Sequence, residues 1–304
     1  PWDSFILAEL DRRGLAPNPE ADLRTLVRRV ALDLTGLPPT PAEVEVVLND
    51  PNPDRYERYV EQLLQRPSWG EHRARYWMDY ARYGDTHGIH FDNYREMYSF
   101  RDWVIGAFNR NLPFDRFTVE HLAGDLLPNA DLSQQIASGF HRCNITTNEG
   151  GIIDEEYAVL YARDRVETTA TVWMGLTAGC AVCHDHKFDP LTQREFYQLA
   201  AFFNNTTQNV RDGNIQDTPP IIRVPLEEDR VRYLELIQRQ KQLTRQLDEL
   251  RQQGQAKFDR WRKDHEPLTQ DLLNSAAGMP SPWLHLPLVH SDTRWLDGTV
   301  GRRL

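Results

Sequence analysis

Residues Gly179–Pro190 read Gly-Cys-Ala-Val-Cys-His-Asp-His-Lys-Phe-Asp-Pro, and the rest of the chain is interpreted around them. Cys180 and Cys183 are three positions apart, and His184 follows the second cysteine directly. This Cys-x-x-Cys-His pattern is the attachment signature of a c-type haem. At about 100° per residue, an α-helical turn would place both thiols and the imidazole on one face. The pattern therefore predicts one covalent haem c, with Cys180 and Cys183 as tethers and His184 as the proximal iron ligand.

Two other interpretations of the cysteine pair stay open at this stage. A thioredoxin-like dithiol normally follows a strand in a βαβ unit, and the residues before Cys180 show no such pattern. A zinc site could use His184 or His186 as a third ligand, but zinc takes four ligands and no second Cys/His pair has suitable spacing. His186 is better interpreted as a hydrogen-bonding group beside the proximal ligand than as a ligand itself.

Length, charge and cysteine count limit the possible functions. The chain has 304 residues, enough for a sizeable core, and a net charge of −10 with no basic stripe. This balance predicts no nucleic-acid partner and favours a basic redox partner protein or adjacent domains of a longer chain. Only Cys143 lies outside the signature, so we expect no disulfide framework and a buried, apolar role for its side chain.

The sequence also bears on cellular location. It contains no run of eighteen apolar residues, so we expect no membrane span, and it opens without the basic segment of a signal peptide. Because covalent haem is normally attached outside the cytoplasm, we expect a periplasmic or otherwise extracytoplasmic protein whose leader is absent from this sequence. The ending Gly301–Leu304 closes no element and suggests a piece of a longer protein.

Hydrophobic spacing predicts a mainly α fold, with an irregular multi-helix haem-binding domain followed by a coiled-coil-like arm. We assign residues 1–205 to the haem c-binding helical domain, 206–225 to a polar linker, 226–266 to a helical hairpin or coiled-coil arm, and 267–304 to the start of a further module or a tail. Leucines seven residues apart indicate the arm. Capping boxes predict helix starts after four residues, which are Thr40, Ser68, Ser99 and Thr192.

The loop of residues 84–98 has no helical periodicity and is long for a plain connection, which is typical of functional loops. It contains Met97, His87 and His90, residue types that can occupy the sixth position on haem iron. Met97 is the leading candidate because thioether ligation gives a high potential suited to electron transfer. The competing interpretation is a methionine that fills a gap in the core.

Residues 141–154 are also irregular and carry side-chain oxygens beside two glycines. Calcium binding is a secondary hypothesis for this segment, although the spacing matches no EF-hand loop. The oxygen-bearing side chains in question are those of Asn144, Asn148, Glu149 and Asp154.

Many short motifs recur in the same order in one known family. They are Arg82-Tyr83 with Asp85, Tyr94–Met97, Phe100–Ile105, Asn111–Asp115 with Phe117, Leu122–Asp125, Asp164–Val166 with Thr168-Thr169, and Gly175–Thr177 leading into Cys180–Pro190. Over about residues 1–205 the chain resembles the second, cytochrome-like domain of the large multidomain planctomycete cytochrome proteins. The resemblance implies an extracytoplasmic protein with covalent haem on Cys180 and Cys183 and ligation by His184. Proteins of this kind are often suspected of a part in carbohydrate breakdown, but the family's function is undefined.

Three hypotheses for the role follow. The first is single-electron transfer to or from a partner module or redox enzyme. The second is a haem enzyme with an open sixth iron position, peroxidase-like or oxidative on a carbohydrate, in which His87, His90 or Arg95 serves as acid/base or charge stabiliser. The third is a protein-binding scaffold, in which the apolar seam beginning at Leu226 docks a partner.

Overall fold

The computed structural model describes residues 2–276, with side chains described through residue 265. The described part is mainly helical and contains no β-strand, which confirms the predicted fold class. No helix within it combines the length and the apolar character that crossing a membrane requires. The α-helices, in chain order, are α1 (Trp2–Arg12), α2 (Leu23–Thr35), α3 (Pro41–Asn49), α4 (Arg55–Leu64), α5 (Pro67–Ala81), α6 (Tyr98–Asn109), α7 (Phe114–Ala123), α8 (Leu132–Ala137), α9 (Asp154–Thr169), α10 (Gln193–Ala201) and α11 (Arg230–Ala276).

Helices α2, α3 and α4 enclose one core cluster, and local capping sets where two of them begin. Asp22 accepts a hydrogen bond from Thr25 N (3.0 Å) at the start of α2. Thr40 and Glu43 form the predicted capping box before α3, with Glu43 N donating to Thr40 Oγ1 (3.2 Å). The side chains between these helices are Val27, Ala31, Val44, Val47, Tyr59 and Leu63.

Two of the four predicted capping boxes are wrong. Helix α5 begins at Pro67, before Ser68, because proline at the first helical position already supplies the required φ and has no N–H to satisfy. Helix α6 begins at Tyr98, with Met97 preceding it, so Ser99 lies inside the helix. A serine followed three residues later by an acidic residue therefore does not define a helix start by itself.

Helices α5 to α8 enclose an aromatic core cluster around a buried histidine. Its largest members include Phe100, Trp103 and Phe117, all under a tenth exposed. His121 is fully buried among these rings. Its Nδ1 donates to Phe117 O (2.8 Å), and its Nε2 accepts from Trp77 Nε1 (3.0 Å). Both nitrogens are thus satisfied only when the ring is neutral.

The third core cluster joins α9 and α10 through the segment that carries the cysteine signature. Helix α9 continues into a π-helical turn at Ala170–Met174, and a 3-10 turn follows at Ala178–Val182. The predicted capping box at Thr192 is confirmed, since its side chain accepts from Glu195 N (3.2 Å). Phe196 of α10 is buried in this cluster. The cluster contains Val166, Ala170, Ala178, Ala181, Phe196 and Ala200.

Residues 206–224, which we call the strap and which lie in the predicted linker, are part of the first compact unit. That unit extends to Val224, beyond the predicted boundary at residue 205. Asp212 and Thr218 of the strap are buried, and Asp212 N donates to Thr147 O (3.2 Å). The polar composition that suggested a linker is explained by these internal hydrogen bonds, because buried polar groups need partners within the protein.

The second compact unit begins at Pro225 and contains α11. The structure has one continuous helix from Arg230 to Ala276 in place of a hairpin, and Gly254 does not interrupt it. A single glycine costs about 1 kcal/mol in a helix interior, which a long helix of good helix formers tolerates. The predicted module or tail at residues 267–304 falls partly on this helix, and its residues 277–304 lie outside the described residues.

Candidate functional site

The cysteine signature lies on a 3-10 turn and not on the α-helical turn that the sequence suggested. With about three residues per turn, positions i and i+3 of such a turn lie directly above one another. Cys183 N donates to Cys180 O (3.4 Å), which closes the turn between the two cysteines. Both side chains are exposed and neither forms a disulfide. The two cysteines therefore lie one turn apart on an accessible surface.

Helix α10 holds the signature from one side. Val182 O accepts hydrogen bonds from Gln193 Nε2 (3.0 Å) and Tyr197 Oη (3.0 Å). Asp185 Oδ1 accepts from Gln193 N (2.8 Å), so an aspartate of the signature also caps the first turn of α10. These three hydrogen bonds hold the turn that follows Cys180 against α10, whose Phe196 and Ala200 pack in the third core cluster.

Helix α9 also contacts the signature, and its Glu167 approaches the backbone at Gly179 closely. A Cβ at Gly179 would lie 3.3 Å from the carboxyl group of Glu167. Glu167 accepts from Arg163 Nε (2.5 Å), and this hydrogen bond raises the pKa of Arg163.

His184 is exposed, and one hydrogen bond determines which of its nitrogens can bind a metal. Its Nδ1 lies 2.7 Å from Asp185 O. A carbonyl oxygen only accepts, so Nδ1 carries the proton and the lone pair is on Nε2. Ligating histidines typically donate their other ring N–H to a carbonyl or carboxylate in this way. The thiols and His184 Nε2 therefore fit a covalently attached haem.

His186 is the predicted hydrogen-bonding neighbour of the proximal ligand, and its bonds go to its own turn. Its Nδ1 accepts from Phe188 N (3.2 Å) and Asp189 N (2.7 Å), and its Nε2 lies 3.6 Å from Asp189 Oδ2. The side chain is 8% exposed although most of its neighbours in the signature are exposed. It fixes the chain immediately after His184.

We expect His186→Leu to destabilise this turn and to lower the fraction of protein that acquires haem. The leucine leaves two backbone N–H groups without an acceptor. Phe188 N is exposed and can bind water, whereas the partly buried Asp189 N pays up to about 1–3 kcal/mol. His186→Asn is the matched control, because an asparagine oxygen can accept from backbone N–H groups two and three residues ahead. Haem absorbance per milligram of purified protein measures both variants. Equal haem content in the wild type and His186→Leu would contradict this role.

The candidates for the sixth iron ligand lie on other parts of the first unit. Met97 is partly buried against the aromatic cluster of α5 to α8, whereas the signature packs on the cluster of α9 and α10. His87 is buried, with Nδ1 2.6 Å from Thr146 Oγ1 and Nε2 2.8 Å from Ile215 O. His90 is exposed, in the left-handed conformation at φ 61°. As folded, Met97 fills the core and both nitrogens of His87 are engaged.

Arg95, considered above as a charge stabiliser in a haem enzyme, is also buried. Its Nη1 donates to Asn144 O (3.0 Å). Burial lowers its pKa, and the carboxylates of Asp212 and Asp85 oppose that change. The guanidinium is therefore part of an internal network and is not displayed on the surface beside the cysteines.

The structure gives little support to the other metal interpretations. Within the described residues, no three His, Cys, Asp or Glu side chains are grouped as a metal site would require. In the segment considered for calcium, Asn144 Oδ1 accepts from Arg165 (3.2 Å) and Asp154 Oδ1 accepts from Arg211 (2.8 Å). The absence of a strand in the described part also removes the βαβ context of a thioredoxin-like dithiol.

Comparison with known protein families assigns about the first two thirds of the chain. Residues 1–208 match the family model PSCyt2, described as a protein of unknown function (DUF1549). The chain belongs to the PSCyt2 family. PSCyt2 is a cytochrome-like domain family of planctomycetes whose function is unknown. No curated protein and no solved structure matches the chain.

The PSCyt2 match ends near the start of the strap, so it contains the signature, α9, α10 and the three core clusters. Sequence reasoning missed the buried polar network that joins this region to the strap. Its members include His87, Arg142 and Arg165. The available signal is the group of polar residues between α8 and α9, which includes His141, Arg142 and Asn144. Their composition alone predicts a solvent-exposed loop.

Proposed function

We propose that this chain is an extracytoplasmic c-type cytochrome domain that transfers single electrons to or from a partner module or redox enzyme. The observation that carries the proposal is the signature turn, where two exposed cysteines joined by one turn hydrogen bond are followed by an imidazole whose Nε2 is left as the lone-pair nitrogen. When bound, haem supplies one-electron iron chemistry with a potential set by its ligands and surroundings. The location follows from the attachment chemistry.

The chain's own residues would tether, orient and expose the redox centre. Cys180 and Cys183 provide the tethers, and Asp185 O sets the tautomer and ring orientation of His184. The turn is at the surface, which suits electron exchange with another protein because the centre need not be reached through the core. The net charge of −10 favours a partner with a basic docking face.

Optical spectroscopy tests this role against the haem-enzyme alternative. We expect a low-spin ferrous form whose spectrum is unchanged by carbon monoxide, as for an iron with both axial positions filled. Of the three candidates for the second axial position, His90 is the one whose side chain is exposed as folded. A high-spin ferric form that binds cyanide or peroxide readily would contradict electron transfer and support the enzyme hypothesis.

Met97→Ala tests whether the leading sixth-ligand candidate binds iron. Because the Met97 side chain is partly buried against the aromatic cluster, we expect the variant to lose less unfolding free energy than the about 2–5 kcal/mol of a fully buried methionine, with no change in the haem spectrum. The measurements are urea unfolding and the ferrous absorbance spectrum. Conversion of a low-spin to a high-spin spectrum would show instead that Met97 is the sixth ligand, as the sequence suggested.

A second candidate role, pairing with another helix, is favoured by one feature of α11. Leu236, Leu243, Leu247 and Leu250 share one side of the helix at heptad spacing and are each about half exposed or more. Exposed leucines in such a row are typical of a coiled-coil seam. We expect Leu243→Gln with Leu250→Gln to leave any haem spectrum unchanged and to abolish concentration-dependent association in sedimentation equilibrium. Identical sedimentation of wild type and variant as monomers would exclude self-pairing.

A further inference from the structure

Three arginine side chains meet inside the first unit, on the segment between α8 and α9. Arg95 Nη1 donates to Asn144 O (3.0 Å), and Arg165 Nη2 donates to Asn144 Oδ1 (3.2 Å). Arg142 precedes that asparagine by two positions. Arg165 Nε also donates to His141 O (3.1 Å), so Arg165 is hydrogen-bonded to residues on both sides of Arg142 in the chain.

The three arginines donate their hydrogen bonds to uncharged carbonyl and amide oxygens. Among side chains described in residues 2–265, none of the three arginines has a carboxylate within 4.0 Å, whereas nearby Arg82 pairs with Asp164. Arg142 makes one hydrogen bond, from Nη2 to Thr218 O (2.9 Å). Its Nη1 and the Nε of Arg95 are buried and have no acceptor in the described structure.

Arg142 is the least compensated of the three. Burial, followed by the charges of Arg95 and Arg165, lowers its pKa to about 10, and Cys143 is its only opposing influence. The Cys143 thiol cannot neutralise it, because burial raises the pKa of that thiol to about 12. Buried charges in proteins are almost always paired, since an unpaired one pays its full desolvation cost.

The strap forms its hydrogen bonds to the cluster through uncharged acceptors, although the carboxylate of its Asp212 also acts electrostatically on Arg95. Thr218 O accepts from Arg142, and Gln208 Oε1 accepts from Arg165 Nη2 (2.5 Å). The buried strap carboxylate, Asp212, is 3.5 Å from His87 and is not an ion-pair partner of the arginines. All three arginines lie within the PSCyt2 match, whereas residues 209–224 lie beyond it. The cationic cluster and its cover thus come from different parts of the chain.

We propose that Arg142 and Arg95, supported by Arg165, bind one small oxyanion, a carboxylate, phosphate or sulfate group, beneath the strap. A guanidinium presents two parallel N–H groups that match the paired oxygens of such an anion. The unfilled donors Arg142 Nη1 and Arg95 Nε are the groups that the anion would satisfy. Entry requires the strap to lift, which breaks the hydrogen bond between Arg142 and Thr218 O. The proposal does not depend on haem binding.

Thermal unfolding of the full chain with inorganic phosphate, sulfate or acetate, each compared with chloride at equal ionic strength, tests the site. A ligand that binds only the folded state raises the unfolding midpoint. We expect at least one of the three oxyanions, at a few millimolar, to raise the midpoint by about 2–4 °C, the shift that about 1 kcal/mol produces in a domain of this size. The anion that acts identifies the chemistry, since acetate reports a carboxylate site and the other two a tetrahedral one.

Matched variants separate this site from general salt effects, because phosphate and sulfate stabilise most proteins weakly by exclusion from the surface. Arg142→Gln keeps a donor for Thr218 O but removes the charge, so we expect it to lose the anion response. In chloride alone it should unfold at a higher temperature than the wild type, since it no longer buries an unpaired charge. Arg24→Gln, which removes an exposed arginine paired with Glu45, should keep the wild-type response.

The proposal is overturned if Arg142→Gln responds to the oxyanions as strongly as the wild type, or if none of the three anions acts on the wild type. If Arg142→Gln fails to fold, Arg142→Lys and calorimetric titration of the wild type with phosphate, sulfate and acetate decide the matter. A lysine keeps the charge but lacks the paired N–H donors of a guanidinium, so we expect the anion-induced rise in the unfolding midpoint to be several-fold smaller. Absence of heat of binding for every anion with the wild type would overturn the site.

Discussion

Protein in which Cys180 and Cys183 are both replaced by alanine is expected to contain no covalently attached haem. Thioether formation needs the two sulfur atoms, and no other cysteine lies on the surface of the described chain. The variant should keep its far-UV circular dichroism and its unfolding midpoint in haem-free form, because both thiols are exposed and neither packs in a core cluster. Haem content is measured on denatured protein, where non-covalent haem is lost.

Cys143→Ala is the matched control for this experiment. Cys143 is 3% exposed and packs in the aromatic cluster, so its loss should cost stability and leave attachment intact. Retention of covalent haem by the double variant, or its loss in Cys143→Ala with the fold preserved, would contradict the assignment of the signature.

Acid should destabilise the fold more steeply than a typical helical domain, because two buried histidines must stay neutral. Burial lowers the pKa of His121 to about 3 and that of His141 to about 4. In addition, a proton on His121 Nε2 would face the N–H of Trp77 and break the hydrogen bond between them. Protonation of either ring therefore favours the unfolded chain.

The direction of the pH effect follows from these shifts. In the unfolded chain a histidine titrates near pH 6.5, so above that pH both states are neutral and stability is complete. As the pH falls from 6.5 towards 4, the unfolded state binds protons that the folded state excludes. Each histidine then removes about 1.4 kcal/mol of unfolding free energy per pH unit. The loss ends as the pH passes below the folded pKa of each group.

Urea unfolding at pH 7.5, 6.0 and 5.0 measures this effect above the range in which most carboxylates titrate. His121→Gln can accept from Trp77 without binding a proton, so we expect it to reduce the pH slope even if its stability at pH 7.5 is lower. His90→Gln, which changes an exposed histidine, should keep the wild-type slope. Equal slopes in wild type and His121→Gln would show that His121 is not a source of the acid sensitivity.

The parts of this fold that the sequence predicts well are those with local causes. The mainly α class follows from hydrophobic spacing, and the boxes at Thr40 and Thr192 cap helices as expected because the residues that make them are neighbours in the chain. The signature was recognised from five consecutive residues. The 3-10 geometry of the signature does not follow from those residues, because it depends on hydrogen bonds from α10 to Val182 O.

The parts that sequence reasoning missed depend on distant contacts. The strap appears as a linker because its polar side chains and carbonyls find their partners more than forty residues away, as in the bond from Arg142 to Thr218 O. His87, a candidate iron ligand by residue type, is instead a buried bridge to Ile215 O. Met97 is also a candidate iron ligand by residue type that has a structural role instead. It immediately precedes α6, and its side chain packs against the aromatic cluster.

Intact mass and absorbance of protein matured in a host that attaches c-type haem test the central claim most directly. We expect the mass of the polypeptide plus one haem, and a haem spectrum that persists after denaturation and extraction with acidified organic solvent. Colourless protein with the mass of its amino acids alone, or colour that the solvent removes, would contradict a covalent haem on Cys180 and Cys183.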